Sequence, residues 1–245
     1  MKKTLLAVLI AFSSCTVQKI NKSLTRSDVF DKGHLGFMLV DPEKDKTLVD
    51  INSDKYFIPA SNTKLFTFYT SYTVLGDSLV NGLNYLERGD SLIFWGTGDP
   101  SLLHPDLKNT VALDFLKAQN KKLFLLDNFD QVDAFGPGWS WDWYNAYYAA
   151  ERSALPVYGD IVRFAKSEGD STFNIYPPRF ESSMNLTEPK GNSSSSFRRK
   201  HLENKFDYYV TSEAALTKFE TDIPFITSAE FAAQLLSEEL KKEVT

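Results

Sequence analysis

Along this chain the apolar and polar positions fall into patterns that mark out its elements. Residues 35–41 and 47–52 are apolar runs separated by Pro42-Glu43-Lys44-Asp45-Lys46. Asp-Pro followed by charges is turn chemistry, so the pair predicts a β-hairpin. After Pro59-Ala60-Ser61, apolar residues recur at 65, 66, 68, 69, 72, 74 and 75. That spacing predicts a helix, and Gly76 is placed to stop it. Leu92 to Trp95 predicts a short strand ending in the loop Gly96-Thr97-Gly98-Asp99-Pro100. Residues 111–119 predict a helix, and 122–126, 161–165, 172–176 and 208–211 predict strands. Residues 177–200, with their prolines, Gly191, serine run and basic residues, predict an exposed loop. The span 227–242 predicts a final helix. Thr227 and Glu230 have capping-box spacing there, and Phe231, Leu235, Leu236 and Leu240 share a face. No internal repeat is visible.

The first residues read as a targeting segment. Lys2 and Lys3 precede a short apolar run from Leu5 to Phe12, then Ser13, Ser14 and Cys15. The run is too short to span a bilayer as a helix but suits a signal peptide over residues 1–14. Ala11-Phe12-Ser13-Ser14-Cys15 resembles a bacterial lipobox, with Phe12 where Leu is commonest. On this reading Cys15 is lipidated, residues 15–28 form a polar tether, and acyl chains hold the protein on a membrane surface. The alternative is ordinary cleavage nearby with Cys15 incidental. No later stretch approaches the roughly eighteen apolar residues of a transmembrane helix. The expected location is the cell envelope or periplasm.

Composition narrows the classes. The 245 residues are 42% hydrophobic and 24% charged, ordinary for a globular protein. A net charge of −5 argues against a nucleic-acid binder. One cysteine allows no internal disulfide and no Cys-rich zinc site, and His34, His104 and His201 lack ligand spacing. Neither a metal nor an organic cofactor is implied.

The chemistry sits in Ser61-Asn62-Thr63-Lys64, an S-x-x-K at the start of the predicted α-helix. A serine hydroxyl is a poor nucleophile until a neighbouring base takes its proton. Three residues is nearly one helical turn, so Lys64 stands beside Ser61 on the same face. Desolvation is what lets a lysine serve as that base. The bland reading makes Ser61 a helix N-cap and Lys64 a solvated cation. A hairpin, then Pro-Ala-Ser, then an apolar helix is the setting in which penicillin-recognising serine enzymes carry this motif.

The segment Phe57 to Leu65 looks like the nucleophile segment of the class C low-molecular-mass penicillin-binding proteins, which are D-alanyl-D-alanine carboxypeptidases and endopeptidases. Gly96-Thr97-Gly98-Asp99-Pro100-Ser101-Leu102 resembles their Gly-x-Gly-Asp-Pro-x-Leu signature. Gly136-Pro137-Gly138-Trp139-Ser140-Trp141-Asp142, followed by Ser153-Ala154-Leu155, resembles a third segment. The resemblance covers roughly residues 35–165, and 224–240 looks loosely like the family's return into its catalytic domain. It implies an α/β, β-lactamase/transpeptidase-like fold with an inserted second domain. Residues 29–85 and 222–245 would form the catalytic domain and 86–221 the insertion. It further implies serine-type D-Ala-D-Ala hydrolysis of peptidoglycan stem peptides, with Ser61 as nucleophile, Lys64 as its base and β-lactams as inhibitors.

The departures matter as much. The family needs an S-x-N and a K-T-G downstream; this chain has no K-T-G, and Lys190-Gly191-Asn192 is not one. Ser183-Met184-Asn185 fits S-x-N literally but falls in the expected loop. The chain is therefore read either as a piece of a longer protein, ending before both motifs, or as a degenerate relative. That keeps open a non-catalytic cell-wall-binding lipoprotein of the same fold, or a structural envelope protein. Trp139 to Tyr148 is expected to be a packed aromatic corner, with stacking on sugars as the alternative. Asp99 is expected to be a turn residue, and Arg198-Arg199-Lys200-His201 a solvated stretch. Asn185-Leu186-Thr187 fits a glycosylation acceptor, which a bacterial lipoprotein would not normally use.

Overall fold

The computed structural model describes residues 16–77, 81–170, 172–187, 196–209 and 218–245. The chain divides into two compact units, Met1–Ser78 and Leu79–Thr245. No helix among the described residues is long and apolar enough to cross a membrane.

In the first unit residues 16–25 are helical. The hairpin then forms as its pattern demands. β1 (Phe37–Asp41) pairs antiparallel with β2 (Lys46–Ile51), Phe37 opposite Ile51 and Asp41 opposite Lys46, with a bulge between Leu39 and Val40. Asp41 builds the turn. Its Oδ1 accepts from the Glu43 and Lys44 amides at 3.2 and 3.3 Å, and its Oδ2 accepts from Lys44 Nζ at 2.8 Å. α1 (Thr63–Leu75) follows. It stops at Gly76, which takes φ +61° and donates its N–H to the Tyr72 carbonyl at 2.8 Å. A positive φ costs least at glycine, so the sequence places one there.

The second unit opens with β3 (Leu83–Arg88), β4 (Ser91–Gly96), α2 (Val111–Ala118) and β5 (Lys122–Leu125). β3 and β4 are antiparallel and β4 and β5 parallel, joined through α2, and Val244 bridges to Leu123 in parallel. β4 alternates as a half-covered strand should, with Leu92, Phe94 and Gly96 buried and Ser91, Ile93 and Trp95 half-buried. Next come β6 (Ile161–Lys166), β7 (Asn174–Tyr176), β8 (Met184–Leu186), β9 (Ser196–Arg199), β10 (Phe206–Tyr209) and β11 (Phe219–Pro224). They make two three-stranded sheets, ordered β11-β6-β7 and β8-β10-β9. α3 (Ala229–Leu240) closes the unit, burying Ala229, Ala232, Ala233, Leu235, Leu236 and Leu240.

The core of this unit is strongly aromatic. Phe164 stacks on Phe197 at 4.7 Å and meets Phe206 edge-on at 5.4 Å, and Phe180 contacts Phe206 and Phe225 at 5.5 and 5.3 Å. At one edge Arg163 forks between two carboxylates. It donates to Asp106 at 2.6 and 2.8 Å and to Asp222 at 2.8 Å twice.

Residues 177–200 are not an exposed loop where described. They hold a 3₁₀ helix over Pro178–Ser183 and strands β8 and β9, and they bury Phe180, Phe197 and Arg199. Two phenylalanines outweigh the polar composition by anchoring the segment in the core. Lys190-Gly191-Asn192 lies outside the described residues. The final helix is capped by Ser228, whose Oγ accepts from the Phe231 amide at 3.1 Å, and not by Thr227. Thr227 is engaged elsewhere, its amide donating to Glu151 Oε2 at 3.1 Å.

Candidate active site

Ser61 and Lys64 meet at the first turn of α1. The amides of Thr63, Lys64 and Leu65 donate back three residues to the carbonyls of Ala60, Ser61 and Asn62, at 3.2, 3.0 and 3.0 Å. This tight 3₁₀-type entry nearly eclipses positions i and i+3. Lys64 Nζ consequently donates to Ser61 Oγ at 3.2 Å. Asn62, not Ser61, holds the N-cap position, and its side chain makes no capping bond. The Ser61 hydroxyl is thus partnered with the lysine and is not consumed as a cap. No acidic residue lies in the first turn of α1 to compete for Lys64. Both side chains are exposed. The approach is fixed by Phe57, whose ring stacks on His34 at 4.3 Å and lies so close to Gly36 that a Cβ there would collide with it.

The second and third matched segments are brought together in the second unit. Gly96 packs directly on the Ala154 carbonyl, leaving no room for a Cβ. Gly98, at φ +85°, donates its N–H to the same oxygen at 2.7 Å. Asp99 Oδ1 accepts from the Ser101 amide at 2.9 Å, the Asx-turn role expected of it. Ser183 ends the 3₁₀ helix and Asn185 lies on β8, where its Nδ2 donates to Asp207 Oδ1 at 3.3 Å. Cys15 lies outside the described residues.

A buried polar cluster gave no signal in the sequence, because its members are scattered through it. Ser153 Oγ donates to Asp160 Oδ2 at 2.7 Å. Burial pushes the Asp160 carboxyl up to about 7. Burial also raises Glu151, against the Thr227 amide and the nearby Arg199. Arg199 is itself buried, correcting its expected place in a solvated stretch. Asn145 takes both of its backbone groups, and its guanidinium donates to the Lys200 and His201 carbonyls at 3.3 and 3.1 Å. No three His, Cys, Asp or Glu side chains gather as a metal site among the described residues.

The chain matches the D-Ala-D-Ala carboxypeptidase 3 (S13) family over residues 16–245. Its fold matches the crystal structure of penicillin binding protein 4 (dacB) from Haemophilus influenzae with a TM-score of 0.58 at 18% identity, covering 85% of this chain and 52% of that one. A second crystal structure of that protein, complexed with a novel β-lactam, matches with a TM-score of 0.52 at 17% identity, covering 86% and 51%. The chain thus spans about half the length of these structures. No curated protein matches it significantly.

Proposed function

Because this chain belongs to the D-Ala-D-Ala carboxypeptidase 3 (S13) family, we propose that it carries the nucleophile of a serine-type carboxypeptidase or endopeptidase acting on peptidoglycan stem peptides. The hydrogen bond from Lys64 Nζ to Ser61 Oγ carries the reading. Lys64, already in contact with the hydroxyl, takes the Ser61 proton as Oγ attacks the carbonyl carbon of the penultimate D-alanine. The tetrahedral intermediate collapses, the C–N bond breaks, and the leaving amine takes the proton back from Lys64. Water then hydrolyses the ester and restores Ser61. A β-lactam acylates the same oxygen, but its leaving amine stays tethered in the opened ring. Lipid attachment at Cys15 would place this chemistry in the cell envelope, beside its substrate.

Fluorescent-penicillin labelling tests the reading. The wild-type protein should label covalently. Ser61→Ala should abolish labelling, and Lys64→Met should slow it by about a hundredfold or more. Labelling that survives in Ser61→Ala would overturn the assignment. An unlabelled wild-type protein would favour the non-catalytic wall binder.

A further inference from the structure

Residues 133–152 contain seven aromatic side chains and no valine, leucine, isoleucine or methionine. Three of the chain's four tryptophans lie among them. The expected packed corner forms only in part: Trp139 and Tyr144 are half-buried, Trp139 against Gly136 and Phe135, and the other rings face outward. Trp141 is 78% exposed, Tyr147 67%, Tyr148 61% and Trp143 40%. Such a concentration of exposed rings needs an explanation that isolated surface apolar residues do not.

The rings are held in place beforehand. Beneath them the backbone runs in successive 3₁₀ turns, with the amides of Trp143, Ala146 and Ala149 donating to the carbonyls of Ser140, Trp143 and Ala146 at 3.1, 2.7 and 2.8 Å. Trp143 meets Tyr148 edge-on at 5.8 Å, and Tyr147 meets Tyr148 the same way at 5.5 Å. Asn145 staples the turn to β9, accepting from the Arg199 amide at 2.6 Å. Positions 141 and 144 eclipse in a 3₁₀ helix, so Trp141 and Tyr144 both contact His201, at 6.1 and 4.8 Å. Polar groups stand among the rings. The Asp142 carboxylate, oriented by Ser140 Oγ at 2.6 Å, is one.

The composition selects the occupant. A lipid surface takes aromatic or aliphatic side chains flanked by an excess of basic residues. This segment has no large aliphatic and sets Asp133, Asp142 and Glu151 against Arg152 alone. A pyranose ring fits better. Its C–H face is electropositive and complements the negative face of an aromatic ring, while its hydroxyl and acetamide groups reach polar neighbours. We propose that residues 139–148 form a platform on which the β-linked N-acetylhexosamine units of a peptidoglycan strand stack, with Trp141 and Tyr147 as the main ring contacts. This rests on the Ser61 reading above, since the strand is what carries the stem peptide.

The test titrates the 245-residue chain with peptide-free glycan strands, following tryptophan emission and co-sedimentation with insoluble peptidoglycan. Vesicles of phosphatidylethanolamine and phosphatidylglycerol are titrated in parallel. Saturable strand binding is expected. It should weaken about tenfold in Trp141→Ala and in Tyr147→Ala and be largely kept in Trp141→Phe. Circular dichroism checks the fold of each variant. Absence of strand binding, or a Trp141→Ala variant that binds as wild type, would overturn the platform, as would vesicle binding through the same residues without strand binding. Penicillin acylation of the same samples separates the two readings. Acylation without strand binding rejects the platform alone; strand binding with acylation that survives in Ser61→Ala rejects the Ser61 assignment alone.

Discussion

Single residues in the second unit carry two consequences that can be measured. Asp160 has a partner on Oδ2 but none within hydrogen-bond geometry on Oδ1, although the Thr227 hydroxyl stands beside it. Burial raises its pKa from 3.8 to about 7, and the nearby Glu151 adds to the rise. Below about pH 4 folded and unfolded chains both hold this proton, and its stabilising contribution is complete. Between pH 4 and 7 only the folded chain holds it, so the contribution falls as pH rises and is gone above about 7. The stake is a few kcal/mol, on the order of 1.4 per pKa unit. Glu151 titrates in the same direction and Asp106, held low by Arg163, in the opposite one. The informative quantity is therefore the difference in melting temperature between wild type and Asp160→Asn. It should favour wild type most at acid pH and shrink towards pH 7; a difference independent of pH would refute the buried-acid account. Gly96 makes the second prediction. A Cβ there would collide with the Ala154 carbonyl, so Gly96→Ala must displace backbone and should cost about 2 kcal/mol, read as a lowered urea midpoint. A neutral substitution would mean that the contact between the two matched segments is loose.

At the scale of elements, α3 is the clearest case of local sequence deciding structure. Ser228 sits in extended conformation and accepts from the Phe231 amide, so Ser228→Ala should cost about 1 kcal/mol. Thr227→Ala, which removes no cap, should leave the helix signal intact by circular dichroism. An equal loss of helix in both variants would reject the assignment of the cap. The same helix shows what the sequence could tell. α1, α2, α3, the first hairpin, β4, β5 and β6 were legible because each is an apolar run or face bounded by turn or capping residues. β3 and β11 were not. Leu83-Asn84-Tyr85-Leu86-Glu87-Arg88 mixes both periods, and β11 carries Asp222 and Pro224, which read as breakers until Arg163 on the neighbouring strand pairs with the acid. β8 and β9 were hidden inside a polar stretch whose burial depends on distant phenylalanines. The pairing of Ser61 with Lys64 was legible for the opposite reason, since a separation of three on one turn fixes it locally. The contact of Gly96 and Gly98 with Ala154, and the burial of Arg199, join residues more than fifty positions apart, and no local pattern encodes them. The aromatic stretch was visible too, but its outward orientation was not, because alternating tryptophans suit a packed strand as well as an exposed 3₁₀ turn.

For the whole molecule, the decisive feature is the surface of α1. Leu65, Phe66, Phe68, Tyr69, Tyr72, Val74 and Leu75 take up most of the helix circumference, and all are between 45% and 77% exposed. A helix apolar over most of its faces is ordinarily a buried one, and an exposed patch of this kind marks a surface that binds something. The 245-residue chain should therefore behave in solution as a protein with an exposed apolar helix. A net charge of −5 opposes association only weakly against that much apolar surface. The expected results are strong enhancement of ANS fluorescence and a sedimentation coefficient that rises with concentration. Phe68 and Tyr72 stack on each other one turn apart at 6.1 Å, so they offer the most compact point at which to break the patch. The double variant Phe68→Glu, Tyr72→Glu should reduce both signals while leaving the second unit's unfolding transition in place. A wild-type chain that stays monomeric and dark to ANS would mean that these side chains are covered in solution, and would reject the exposed helix described for this chain.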